Sequence, residues 1–359
     1  MSLKMIKPFD ITDSNMTSSV AEPDISAGEV EWVDPNVITE FGSYSQRYTT
    51  TTTGADGNVY CTGTGTMLKV DVDNKTTSTF ALVDNDRFSV AVLAKNGIIY
   101  AANRFKLVAV NTDSQTSSLI NGFDALSSHV TAVVQAPNGY IYAFSDPSKA
   151  IKINPVTNTA TVISFSSTAD SSFSTAITGP DGFIYCISGN ESIYKMNPDT
   201  DELNIFYSGD TTSGVYSASV LAKDNNIYCI GSKGNVLRID VENQSVSTFG
   251  AYYGKYKSNS AALSTDGNIY CVAYANSEYT NSNEFLKIDV DAQSVSTFGA
   301  YETEGVYDPF YWTLAMGSDG GVYVCGGPTL NVLRIAPSYE SGQQVAISSE
   351  HSVYRAAIT

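Results

Sequence analysis

Apolar and polar positions along this chain alternate in short runs broken by turn residues, and no stretch carries helical spacing. An apolar run such as VAVLA (90–94) or SAALS (260–264) leads into a turn and then into a phrase typified by TDGNIYC (265–271). Near copies stand at 55–61 (ADGNVYC), 95–101 (KNGIIYA), 137–143 (PNGYIYA), 180–186 (PDGFIYC), 223–229 (KDNNIYC) and 318–324 (SDGGVYV). Their tyrosines, Tyr60, Tyr100, Tyr142, Tyr185, Tyr228, Tyr270 and Tyr323, are spaced by 40, 42, 43, 43, 42 and 53 residues. That period is close to one blade of a propeller.

A second phrase follows each tyrosine, for example MLKVDV (67–72), VLRIDV (236–241) and FLKIDV (285–290), and a third, TSTF (77–80) or VSTF (246–249, 295–298), closes most units. Each unit therefore reads as four short strands. The Asp-Gly and Asn-Gly pairs suggest two-residue hairpins, whose twist needs positive φ at both central residues. Strands this short and evenly spaced predict an all-β, seven-bladed β-propeller built of four-stranded antiparallel blades. The seventh unit supplies three clear strands, and DPNVITEFG (34–42) resembles the end of a repeat, as in ENQSVSTFG (242–250). The expectation is that Val37–Phe41 forms the outer strand of the last blade, so that an N-terminal strand closes the ring. Gln344–Ser348 is the rival for that place, and SVYRAAIT (352–359) could instead open an incomplete eighth blade. The chain then divides into an N-terminal arm (1–30), the propeller (31–338) and a C-terminal tail (339–359).

Composition narrows the function. With 37 acidic and 20 basic residues, a net charge of −17, the surface is unsuited to nucleic acid or anionic membranes. No apolar run is long enough for a membrane-spanning helix, and the first residues hold no apolar signal core. Cys61, Cys186, Cys229 and Cys271 each follow a repeated tyrosine, and Cys325 lies two residues beyond one. Equivalent places on separate blades do not ordinarily meet disulfide geometry, and no zinc spacing occurs, so all five read as buried apolar groups.

The DGNIYC…LKIDV…VSTFG consensus resembles the repeats of NHL-, SMP-30- and virginiamycin-B-lyase-like propellers across residues 31–338. This implies the fold, while activity varies widely among propellers. Its enzymatic members imply a metal-dependent lyase or hydrolase, but their histidine and metal-binding acids find no residue-by-residue match here. Residues 7–32, with Ile11, Thr12, Asp13, Ser18, Ser19, Glu22, Gly28 and Trp32, resemble N-terminal segments of tailed-bacteriophage virion proteins. That likeness implies a virion location and attachment to other virion proteins through the arm, with oligomers a further expectation.

Candidate binding residues lie where the repeat breaks. GAYYGKYK (250–257), AYANSEYTNSNEF (273–285) and GAYETEGVYDPFYW (299–312) are connecting loops rich in aromatics. Among them Tyr252, Tyr253, Tyr307, Tyr311 and Trp312 either cover blade edges or offer flat faces to a host surface glycan. Ten residues before each turn glycine stand Arg47, Arg87, His129, Ser172, Val215, Lys257 and Phe310. The cations among them either ring one channel mouth and hold an anion or merely offset acidic loops. No nucleophile elbow, phosphate loop or HExxH motif is present, so no catalytic residue, metal ligand or cofactor is assigned. The sequence reading is a non-enzymatic virion protein, with the lyase or hydrolase as its alternative.

Overall fold

The computed structural model describes residues 29–30, 38–46, 48–123, 129–165, 171–209, 215–232, 234–252, 256–257, 260–275, 283–301, 313–326, 331–336, 345–347 and 353–355. Seven antiparallel sheets form the blades, and in the first six the strand order in space follows strand order in the chain. The first blade runs Thr50–Thr53, Val59–Thr62, Thr66–Asp71 and Thr76–Ala81 from inside outward. The other inner strands are Val90–Leu93, Ala132–Gln135, Phe173–Thr178, Tyr216–Leu221, Ala261–Leu263 and Thr313–Met316. Each packs beside the next, and the last packs beside the first, so the ring is complete.

Closure follows the N-terminal route. Ile38–Phe41 pairs antiparallel with Val332–Ile335, Ile38 opposite Ile335 and Phe41 opposite Val332. Phe41 meets the Tyr323 ring edge-on at 6.0 Å, as Phe206, Phe249 and Phe298 meet Tyr185, Tyr228 and Tyr270 in their own blades. The third phrase of the repeat thus supplies the ring that packs on the tyrosine of the first. Val37, also assigned to this strand from the sequence, lies outside the described residues. By contact the chain divides into Val33–Glu340 and a second unit made of Met1–Trp32 with Ser341–Thr359. Within the second unit Glu29–Val30, Val345–Ile347 and Val353–Arg355 form one antiparallel sheet. The C-terminal segments therefore neither close the seventh blade nor open an eighth.

The hairpin turns correct the sequence reading in one respect. Gly57 N–H donates to the Gly54 carbonyl and Gly54 N–H to the Asn58 carbonyl, and the same pair of bonds recurs in all seven blades. Among the turn residues only the glycine adopts positive φ, +78° at Gly57 and +80° at Gly267, with Asn225 taking the place at +61°. This is a turn closed by a left-handed residue and a bulge, one residue longer than the predicted type. The turn Asp keeps an ordinary backbone and is free to use its carboxylate.

The core lies between blades. Tyr48, Cys61, Leu68, Cys325 and Val332 pack together across the seam of the seventh and first blades, and Tyr100, Ile141 and Ile151 across the second and third. All five cysteines are buried free thiols, and Cys61 and Cys325 pack in one core cluster across the closing seam.

Candidate functional site

The entry into each inner strand is a three-residue pattern. The first position is exposed at Arg87, His129, Ser172 and Val215. The second is a buried plug, Tyr48, Phe88, Val130, Phe173 and Tyr216, each at most 2% exposed. The third is a hydroxyl, Thr49, Ser89, Thr131, Ser174 and Ser217. Sequence reasoning missed these hydroxyls. Ser174 Oγ reaches the Ile187 carbonyl of its own blade at 3.0 Å and the Tyr216 carbonyl of the next at 2.6 Å. Thr49 likewise bridges the carbonyls of Thr62 and Phe88, and Ser89 those of Ala102 and Val130. Neighbouring inner strands splay too far for a ladder, and this hydroxyl satisfies the carbonyls left between them.

These strands enclose a central channel cavity of about 220 Å³ lined by Ser, Thr, Ala and Val side chains, including Thr51, Ala91, Val133, Ser219, Ala261 and Thr313. Among the described residues no charged or aromatic side chain lines it. The described lining offers hydroxyl hydrogen bonding.

Of the predicted binding residues, Arg87 and His129 are exposed at their strand entries. Arg87 also bridges Thr64 through its backbone and accepts from Asn103 Nδ2 at 3.2 Å. Lys257 lies in a short strand, Tyr256–Lys257, that pairs with Tyr274 and Ala275 and extends the sixth blade. Arg47, Tyr253, Tyr307, Tyr311 and Trp312 lie outside the described residues. Tyr252 is a correction: it is 6% exposed, its hydroxyl reaches the carbonyls of Gly231 and Asn235 at 3.0 Å, and it accepts from Gly231 N–H. Tyr44 does the same for Gly326 N–H. Both follow a Phe-Gly pair at the end of an outer strand, where Gly42 and Gly250 have positive φ, so the turn folds the tyrosine under its blade and leaves no face for a sugar.

At the opposite end of the blades the repeat builds a polar cluster. The turn Asp accepts from the tyrosine hydroxyl four residues on: Tyr60 to Asp56 at 2.8 Å, Tyr185 to Asp181 at 2.9 Å, Tyr228 to Asp224 at 2.8 Å and Tyr270 to Asp266 at 2.8 Å. A third-strand cation completes it, with Lys69 at 3.2 Å from Asp56 and Lys195 at 2.8 Å from Asp181. Burial raises the Asp56 carboxyl, but the bonds from Asn58, Tyr60 and Lys69 outweigh it and hold the group below its usual range. Burial and the Asp56 carboxylate push the Tyr60 phenol above its usual value. Each cluster fixes one hairpin to one blade.

No family model matches the sequence, and no curated protein matches it either. Solved propellers do match in fold. A streptogramin B lyase is 14% identical, with a TM-score of 0.69 over 84% of this chain and 98% of its own. Virginiamycin B lyase from Staphylococcus aureus is 10% identical at a TM-score of 0.69, over 84% and 99% of the two chains. The Cps50 (Swd1) β-propeller domain of Myceliophteria thermophila is 11% identical at 0.64, over 84% and 99%. At such identities the likeness establishes the propeller and no activity. A divalent metal, which the lyase-like resemblance implies, needs converging His or carboxylate donors. Among the described residues no three His, Cys, Asp or Glu side chains come together to hold an ion, and the channel offers hydroxyls instead. The residues described do not fit that metal.

Proposed function

We propose that this propeller is a non-enzymatic contact protein of a bacteriophage particle, docked by its N-terminal arm and meeting a host glycan or a neighbouring virion protein through its blades. The observation that carries the non-enzymatic part is the channel. In the enzymatic reading the mouth would carry the chemistry, whereas here Thr49, Ser89 and Ser174 spend their hydroxyls joining blades. The attachment part rests on the phage-like segment at 7–32, and the contact part on loops that vary while the strands repeat.

The second reading is a metal-dependent lyase, favoured by the fold likeness to streptogramin B and virginiamycin B lyases. Incubation of the full chain with virginiamycin B and added magnesium or manganese, followed by liquid chromatography with tandem mass spectrometry, which resolves a ring-opened isomer of equal mass, separates the two. The contact reading expects intact substrate. Metal-dependent opening of the peptide ring would overturn it in favour of the lyase.

A further inference from the structure

Three features of the second blade meet in space, and the first of them is found in no other blade. Opposite the repeated tyrosine, the third strand carries a cation in six blades: Lys69, Lys152, Lys195, Arg238, Lys287 and Arg334. In the second blade Ala109 stands opposite Tyr100. The turn residue beneath that tyrosine is Asn96, which donates to the Tyr100 hydroxyl at 3.3 Å, as Asn138 donates to Tyr142 in the third blade. The third change comes from the neighbouring blade. A left-handed residue in each outer turn lies beside the preceding blade's cluster, and Lys75 and Asp201 reach into those of Tyr323 and Tyr142. At the second blade this residue is Asn158, uncharged and shorter than Lys75.

The missing side chains leave a cavity of about 180 Å³ between the second and third blades, lined by Asn96, Tyr100, Ala109, Asn111, Ser118 and Asn158 among others. No ionisable side chain other than the Tyr100 phenol lines it. Asn111 Oδ1 accepts from Asp113 and Ser114 N–H, which leaves its Nδ2 pointing no hydrogen bond at any described residue. The Ser118 hydroxyl and Asn158 amide are exposed on the cavity's open side, where a ligand would exchange for water. Ile98, Ala109 and Pro155 give the same cavity an apolar side.

We propose that this cavity binds one neutral, hydroxyl-rich ring, the size of a single pyranose. An ion would find no counter-charge there. The volume holds about six waters at ~30 Å³ each, below the ~300 Å³ at which pockets for drug-sized ligands begin. A pyranose presents both hydroxyls for the amides and a C–H face for the apolar side. This site gives the glycan contact proposed above its substrate class and rests on that reading.

Saturation-transfer NMR on the full chain tests it, using methyl glucoside, methyl galactoside and N-acetylglucosamine as neutral probes and glucuronate as the charged control. The expected result is saturable millimolar binding of at least one neutral sugar, stronger than glucuronate. Ala109→Lys, which installs the side chain most other blades carry, and Asn158→Lys, which copies the left-handed Lys75, each weaken it about tenfold or more. Circular dichroism confirms that both variants fold. No saturable binding, or binding unchanged in both variants, overturns the site. A glycan array run alongside separates the two readings. Array binding that survives Ala109→Lys removes this cavity and leaves the contact function standing. Monosaccharide binding without any array signal keeps the cavity and removes the host-glycan reading.

Discussion

Lys75 of the first blade donates to Asp319 Oδ2 of the seventh at 2.9 Å and to the Tyr323 hydroxyl at 2.6 Å. The same carboxylate oxygen accepts from Tyr323 at 2.9 Å and from Arg334 Nε at 2.7 Å. The join between the chain's last and first blades is therefore a charge cluster as well as a closing strand.

Asp319→Asn removes the charge that Arg334 faces, and both side chains are mostly shielded, at 14% and 19% exposed. The expected loss is about 3 kcal/mol, the lower end for breaking a buried pair, read by chemical denaturation. The cluster also sets an acid limit. Burial raises the Asp319 carboxyl, but Arg334, Lys75 and Tyr323 more than offset it and hold it below its usual range. A depressed carboxyl contributes stability that is complete above its unfolded value of about 3.9 and is lost as pH falls through the folded value. Wild-type stability should decline below about pH 4, and Asp319→Asn should flatten that decline.

Ser174→Ala leaves the Tyr216 and Ile187 carbonyls without their shared donor. The expected cost is about 1–2 kcal/mol, seen as a fall in Tm of about 2–4 °C. An unchanged Tm would remove the seam hydroxyl from the account.

Tyr252→Phe keeps the ring and deletes the hydroxyl that serves Gly231 and Asn235. Stability should fall by about 1–2 kcal/mol, with sugar binding unaltered in the same NMR titration. Weakened binding at unchanged stability would restore Tyr252 to a ligand surface.

The five cysteines should resist iodoacetamide in the folded chain at pH 8 and react together in guanidinium. All are buried, and burial pushes the Cys186 and Cys229 thiols up, away from the reactive thiolate. For Cys325 the neighbouring Cys61 thiol and burial push in the same direction. Intact mass before and after denaturation reads the number of adducts.

The blades and the closing strand were legible because turn glycines, Ile-Tyr strands and Ser-Thr-Phe ends recur at one period. The resemblance of VITEF (37–41) to SVSTF (245–249) carried enough to place Ile38–Phe41 in the last blade. The seam hydroxyls were hidden by composition: in a chain full of Ser and Thr, Ser89 or Ser174 does not stand out until the strands are side by side. Tyr252 misled because its loop is aromatic throughout. The shared Phe-Gly-Xaa-Tyr order at 41–44 and 249–252 marks it as part of the repeat. The turn Asp was legible as a turn former, but its bond to the tyrosine four residues on depends on the bulged hairpin geometry. Ala109 was visible in VAVN (108–111), yet its meaning needed the register that sets it against Tyr100.

Binding of the full chain to a glycan array, with and without EDTA, tests the central claim most directly. A contact propeller predicts binding to a defined set of glycans that chelation leaves unchanged. Binding abolished by EDTA, or no glycan bound at all, would contradict it.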